Sequence, residues 1–196
     1  MKKFIVAAAA LACVPGVAFA QDEGVKSDFS GARIEARIGY ETPTVSGDGE
    51  VYKIGSAASF GGEIGYDLKA GSKVTVGPYA NYEFSSVKLC DGGDCLKEQG
   101  NWSVGGRIGF VLGNSGALYA KLGYASMEFK ATSGNQSGSV SENGVYGAIG
   151  GEFALSKHVY ANLEIAYADY GKFVDTDINL QRRQVAAGDQ IGRAHV

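Results

Sequence analysis

Two cysteines, Cys90 and Cys95, flank Asp91-Gly92-Gly93-Asp94, and thiols held around a short turn can either close a disulfide or ligate a metal. A metal would need further ligands. With His158 the one histidine inside the patterned part of the chain, none converge, so the expected chemistry is a disulfide stapling a loop. Asp175-Thr176-Asp177-Ile178-Asn179 begins like a calcium loop, but the glycine and terminal glutamate such loops require do not follow. Gly105-Gly106-Arg107-Ile108-Gly109 is dense in glycine yet has no helical pattern behind it, so it does not read as a phosphate cradle. No cofactor is expected.

The remaining charged groups fall at alternate positions of apolar segments. Arg33, Arg37, Lys69, Lys73, Arg107, Lys121 and Arg182 stand against Glu35, Glu63, Asp67, Glu83, Glu152 and Glu164, seven positive and six negative. Charges so nearly balanced are expected to pair with one another inside whatever encloses them, giving a plugged interior rather than a wide pore.

Strict period-2 alternation shows which elements carry these groups, since each strand then has one apolar and one polar face. Ala32, Ile34, Ala36, Ile38 and Tyr40 oppose Arg33, Glu35 and Arg37. The same pattern recurs from Phe60 to Lys69, Lys73 to Phe84, Trp102 to Leu112, Leu118 to Tyr124, Val145 to Leu155 and Val159 to Tyr167, with an eighth strand beginning near Leu180. Connections alternate in length. Lys69 to Lys73, Gly113 to Gly116 and Ser156 to His158 are tight turns, whereas Glu41 to Gly55, Ser85 to Gly100, Lys130 to Gly144 and Gly171 to Asn179 are long polar loops. That arrangement predicts an all-β, eight-stranded antiparallel up-and-down transmembrane barrel. Pro78 removes a ladder donor from the third strand, so a bulge or local break is expected there.

Both ends read as foreign to the folded part. Met1-Lys2-Lys3 followed by apolar Phe4 to Ala20 reads as a secretory signal peptide, 1–20, cleaved after Ala20. Ile191-Gly192-Arg193-Ala194-His195-Val196 is what a common sequencing-library adapter would encode, so 191–196 is read as an adapter-derived tail and 21–190 as the barrel domain.

Composition fits. Of 196 residues, 30 are Gly, 11 Tyr and 9 Phe, which suits many strands and turns. The 18 basic against 21 acidic residues leave no basic patch for nucleic acid.

Alternation alone leaves open whether the apolar face points inward, as in a soluble periplasmic binding barrel, or outward to lipid. Lipid is favoured because that face of the first seven strands carries no charge between Ala32 and Tyr167. Its aromatics also form two girdles, Tyr40, Phe60, Tyr82, Trp102, Tyr124 and Tyr167 toward the loops and Tyr66, Phe110 and Phe153 toward the turns. The polar face mixes glycine with long charged side chains, as a narrow lumen requires.

Signal segment, eight alternating strands, tight turns and long loops together resemble the small outer-membrane β-barrel proteins of the OmpA, OmpX and opacity type, often labelled porin-like. The resemblance covers nearly the whole mature chain and rests on pattern rather than on a unique motif. It implies location in the cell outer membrane, and as partners outer-membrane lipid, the barrel-assembly machinery and an unknown extracellular partner. It implies a structural or surface-interaction role, with a narrow channel for small solutes as the alternative. Family members usually end on an aromatic residue read by the assembly machinery, and this chain as written does not. Some eight-stranded barrels are lipid A hydrolases or acyltransferases, which need a histidine near the outer leaflet. His158 falls in a turn on the other side, so no enzyme is expected.

Overall fold

The computed structural model describes residues 28–47, 50–53, 55–91, 94–133, 136–172 and 179–191. The expected signal segment, the tail beyond Ile191 and Asp175 to Asp177 lie outside the described residues. Among those described, ten strands follow one another: β1 (Gly31–Gly47), β2 (Glu50–Lys53), β3 (Ala57–Lys69), β4 (Val74–Ser85), β5 (Lys88–Asp91), β6 (Asp94–Leu112), β7 (Gly116–Ser133), β8 (Gln136–Ala154), β9 (Val159–Lys172) and β10 (Asn179–Ile191). Every pairing is antiparallel, and β10 pairs back onto β1 from Ser46↔Asn179 to Ile34↔Ile191, so the sheet closes on itself as an eight-stranded barrel. The short strands β2 and β5 lie off the barrel wall, folded back on β1 and β6.

The outward face is the apolar one. Ile34, Ile64, Ile108, Ile149 and Leu163 are all at least half exposed, while the charged positions between them are buried. The nine girdle aromatics Tyr40, Phe60, Tyr66, Tyr82, Trp102, Phe110, Tyr124, Phe153 and Tyr167 all stand on this outer face, 40–61% exposed. Phe60 packs on Phe84, Tyr82 on Phe84, and Trp102 on Tyr124, with ring centroids 4.9–6.4 Å apart. An outer surface of Ile, Leu, Val and aromatics would be unfavourable in water and is the expected surface against acyl chains.

Two expectations need correction. Much of the long connections is strand: β1 runs on past Glu41 to Gly47, and the β6–β7–β8 ladder continues outward to Asp94↔Ser133 and Ser133↔Gln136. Eight residues separate Asp94 from Trp102, so this wall rises roughly 25 Å of strand length beyond the girdle at about 3.3 Å per residue. The outward face meets water there rather than lipid, so pairing persists after the alternation of polarity stops. Next, Lys69 and Lys73 are exposed at the turn end rather than inside the lumen. At Pro78, where a bulge or a local break is expected, the structure has the break. The β3–β4 ladder keeps one register from Gly65↔Tyr79 to Leu68↔Val76 but skips Tyr66 and Asp67, while Pro78↔Gly106 is kept on the β6 side. Gly77 makes this approach possible, since a Cβ there would collide with the Tyr66 carbonyl oxygen.

The residues before β1 close the turn end. Phe29 is 3% exposed, its ring edge-on to Tyr160 at 5.4 Å between centroids, and the Tyr160 hydroxyl donates to the Asp28 carbonyl at 3.0 Å. Asp28 accepts from Lys69 Nζ at 2.6 Å and from the Ser30 hydroxyl and N–H at 2.7 and 3.0 Å. Partial desolvation on its own would raise this carboxyl, but Lys69 and Ser30 hold it down at about 2. A depressed folded value means the contribution is complete above about pH 4 and is lost as pH falls through 2. Lys69 is solvated, so the pair contributes less than about 1 kcal/mol. Asp28→Asn is therefore expected to lower unfolding stability slightly at pH 7 and hardly at all near about pH 2. An equal loss at both pH values would attribute the effect to geometry rather than charge.

Candidate lumenal ion-pair site

Within the barrel, alternate residues of every wall strand project inward, so β1 supplies Arg33, Glu35 and Arg37, β3 Glu63 and Asp67, and β4 Glu83. From the opposite wall come Arg107 on β6, Lys121 on β7, Glu152 on β8 and Glu164 on β9. All ten are 0–4% exposed. They form two linked layers. Nearer the turns, Arg33 pairs with Glu63 at 2.5 Å and Asp67 at 3.3 Å, and Arg107 pairs with Asp67 at 2.5 Å and with Glu152. At mid-height Arg37 reaches Glu164 at 2.6 Å, Glu35 at 3.0 Å, Glu83 at 3.1 Å and Glu63 at 3.5 Å. Lys121 Nζ bridges Glu63 and Glu164 at 2.7 and 2.6 Å.

Aromatic hydroxyls complete the middle layer. Tyr119 and Tyr146 both donate to Glu164, at 3.0 and 2.8 Å, and the Arg107 guanidinium lies 4.2 Å from the Tyr119 ring centre. Glycines on the polar face give these groups their room: a Cβ on Gly65 would stand 2.7 Å from the Arg33 guanidinium. Above this, Arg182 on β10 pairs with Glu83 at 2.7 Å and with Glu41, and Gln184 donates to Glu83 at 2.7 Å and Ser59 at 2.8 Å. The outer lumen is then filled on one side by Met127, Phe129, Tyr170 and Leu180, each no more than 3% exposed. Salt bridges this thoroughly buried rarely stabilise relative to an apolar core, but they fix one arrangement and leave no wide aqueous path at their own height.

A model of the outer membrane protein beta-barrel domain matches residues 4–188. The chain belongs to this family of outer-membrane barrels. The family barrel is similar in fold to the attachment invasion locus protein Ail of Yersinia pestis, solved with the heparin analogue sucrose octasulfate (19% identity, 82% of this chain and 99% of that one, TM-score 0.54). It is similar also to Neisserial surface protein A (13% identity, 81% and 96% covered, TM-score 0.52) and to OprG of Pseudomonas aeruginosa (14%, 85% and 98%, TM-score 0.52). No curated protein sequence matches significantly. The outer membrane is thus the location, and the soluble barrel is set aside by the same outward apolar face.

This outer-membrane barrel holds a different charge balance from the one read along the chain. Among the described residues, Arg33, Arg37, Arg107, Lys121 and Arg182 are buried against Glu35, Glu41, Glu63, Asp67, Glu83, Glu98, Glu142, Glu152 and Glu164, five cations against nine carboxylates. Glu41, Glu98 and Glu142 were hidden in segments that read as loops. The parity of Arg33, Glu35 and Arg37 carries straight on to Glu41, which was the available signal. Phe29, Met127 and Leu180 gave none. Cys90 and Cys95 face one another across β5 and β6 and are joined as a disulfide, closing that hairpin outside the girdle. His158 lies exposed in the β8–β9 turn, at the end opposite the long hairpins. Among the described residues no three His, Cys, Asp or Glu side chains come together as a metal set.

Proposed function

We propose that this barrel is a structural and surface-interaction protein, an anchor whose plugged lumen holds rigid hairpins outside the cell for an extracellular partner, rather than an enzyme or an open channel. The observation that carries the reading is the ion-paired middle of the lumen, where Arg37 alone touches four carboxylates. Its support is the wall of strand raised beyond the girdle, clasped at one edge by Cys90–Cys95. Likeness in fold to Ail and to Neisserial surface protein A, whose names speak of attachment and of the surface, agrees with it.

Conductance across planar bilayers tests the proposal. The refolded protein is expected to be silent, and Arg37→Ala or Arg107→Ala, which open gaps in the plug, are expected to produce small openings. Stable openings of the unaltered protein that vanish when Arg107 or Glu63 is neutralised would establish the channel reading instead. Lipid of the outer membrane and the barrel-assembly machinery are proposed as its partners in reaching this state. Residues 1–20 are proposed to be removed on export and 191–196 to be adapter-derived. The mass of the purified barrel checks the first and the sequence of the gene's 3′ end the second.

A further inference from the structure

Above the girdle the outward face of the wall carries three lysines in one ladder row. Lys88 on β5 stands opposite Lys97 on β6, Lys97 stands opposite Lys130 on β7, and Ser139 on β8 completes the row. All three lysines are exposed, while Val87, Glu98 and Phe129 beside them in the chain are buried on the lumen side, so the row shares one face. Like charges directly opposite one another destabilise a sheet, and among the described residues none of the three forms an ion pair. Glu128 shares this face one position lower on β7, and it too is exposed and outside any ion pair with a described residue.

Local structure holds this repulsion in place. Residues four apart on an unbroken strand share a face, yet Asn101 is 1% exposed on the lumen side and Lys97 is exposed outward. The register shift between Glu98 and Gly100 in the β6–β7 ladder is what re-aims Lys97. On one side of the Lys88–Lys97 pair the Glu98 N–H donates to the Val87 carbonyl at 3.0 Å, and on the other the Cys90–Cys95 disulfide joins β5 to β6. Clamped at both ends, the strands that carry the two ammonium groups cannot part to relieve them.

We propose that Lys88, Lys97 and Lys130 form a docking row for the phosphate groups on the saccharide head of outer-leaflet lipopolysaccharide. Three ammonium groups on strands about 4.8 Å apart offer charge-assisted donors along a line, which suits several phosphate oxygens at once. The row continues upward the face on which Trp102 and Tyr124 pack, so its neighbour is the head of the lipid whose acyl chains cover that face. Lys97 stands five residues beyond Trp102 and Lys130 six beyond Tyr124, which at about 3.3 Å per residue and a tilt of about 40° places the row roughly 10–15 Å above the girdle. A phospholipid head occupies only about 5–7 Å on each side of the hydrocarbon, so the row requires a taller head built of sugars. Bound phosphates would cancel the repulsion within the row and brace the raised wall against the membrane surface. The inference rests on the outer-membrane location and does not depend on whether the lumen conducts or the hairpins hold an extracellular partner.

The full chain, refolded in detergent micelles, is titrated against fluorescently labelled lipopolysaccharide, intact or chemically stripped of its phosphates, and binding is followed by polarisation. Saturable binding of the intact form is expected, with the stripped form bound far more weakly. Each Lys→Gln exchange in the row is expected to weaken binding about five-fold, and the combined Lys88→Gln, Lys97→Gln, Lys130→Gln variant about 100-fold. Lys157→Gln, in the exposed β8–β9 turn at the opposite end, should leave binding unchanged. Equal affinity of the unaltered protein for the two forms overturns the proposal, as does an equal loss in Lys157→Gln, which would mean diffuse attraction. Dextran sulfate bound through the same lysines while lipopolysaccharide is not would assign the row to a soluble polyanion and overturn it as well. Heat-modifiable mobility shows whether the combined variant has folded, and the comparison with stripped lipid decides the matter on the unaltered protein if it has not.

Discussion

Ile64→Arg is expected to lower the stability of the folded barrel in lipid vesicles by about 2–4 kcal/mol, the cost of an arginine near the bilayer midplane of a barrel. Ile64 is 59% exposed and lies between the girdle residues Phe60 and Tyr66 on β3. Val51, on the hairpin strand β2, is 60% exposed, so the two sites differ in medium rather than in burial. Val51→Arg should therefore change stability by less than about 0.5 kcal/mol, as an exposed substitution in water does. Urea unfolding followed by the fluorescence of Trp102, the single tryptophan, reports both. Equal effects at the two positions would mean that Ile64 does not face lipid. Gly65→Arg is a poorer control than its place in the sequence suggests, because the Arg33 guanidinium already fills the space a side chain would enter.

Arg37→Met should cost about 3–5 kcal/mol in the same measurement, since it strips the cation from four carboxylates and leaves them buried without it. Glu164 is the partner held most closely, at 2.6 Å, and it also accepts from Tyr119, Tyr146 and Lys121. Glu164→Gln in the Arg37→Met background should recover part of the loss, giving a coupling energy of about 0.5–3 kcal/mol between the two positions. A loss below about 1 kcal/mol for Arg37→Met would mean that water enters the middle of the lumen and solvates these carboxylates. The plug, and with it the proposed anchor role, would then fail.

These two results test different kinds of knowledge about the molecule. The outward position of Ile64 could be read from the chain because alternation is a local property, and a strand between lipid and lumen must repeat it residue by residue. The inward position of Arg33, Arg37, Arg107 and Lys121 follows from the same rule. The rule failed where the medium on the two sides ceased to differ. Glu41 and Glu98 lie at and beyond the girdle, where the outward face meets water instead of lipid and carries polar residues such as Lys97 and Gln99, so polarity no longer marked strand from loop and an acidic outer lumen went unread. Lys69 and Lys73 failed at the other end, where a long side chain at a strand terminus reaches solvent whichever way its parity points.

By itself the sequence determined the barrel, the number of spanning strands, the face turned to lipid and the short thiol loop, because each depends on spacing along one chain. Tertiary structure decided which charges meet. Arg37 and Glu164 are 127 residues apart and touch only because closure of β10 on β1 leaves just β10 between β9 and β1, so that both side chains project into the same part of the lumen. It also decided that Phe29 packs on Tyr160 at one end of the lumen, that Met127 and Leu180 crowd the other, and that Glu98 is buried beside Glu41. Contacts across a closed lumen depend on the stagger at which the sheet joins itself, and no local pattern of residues encodes that stagger.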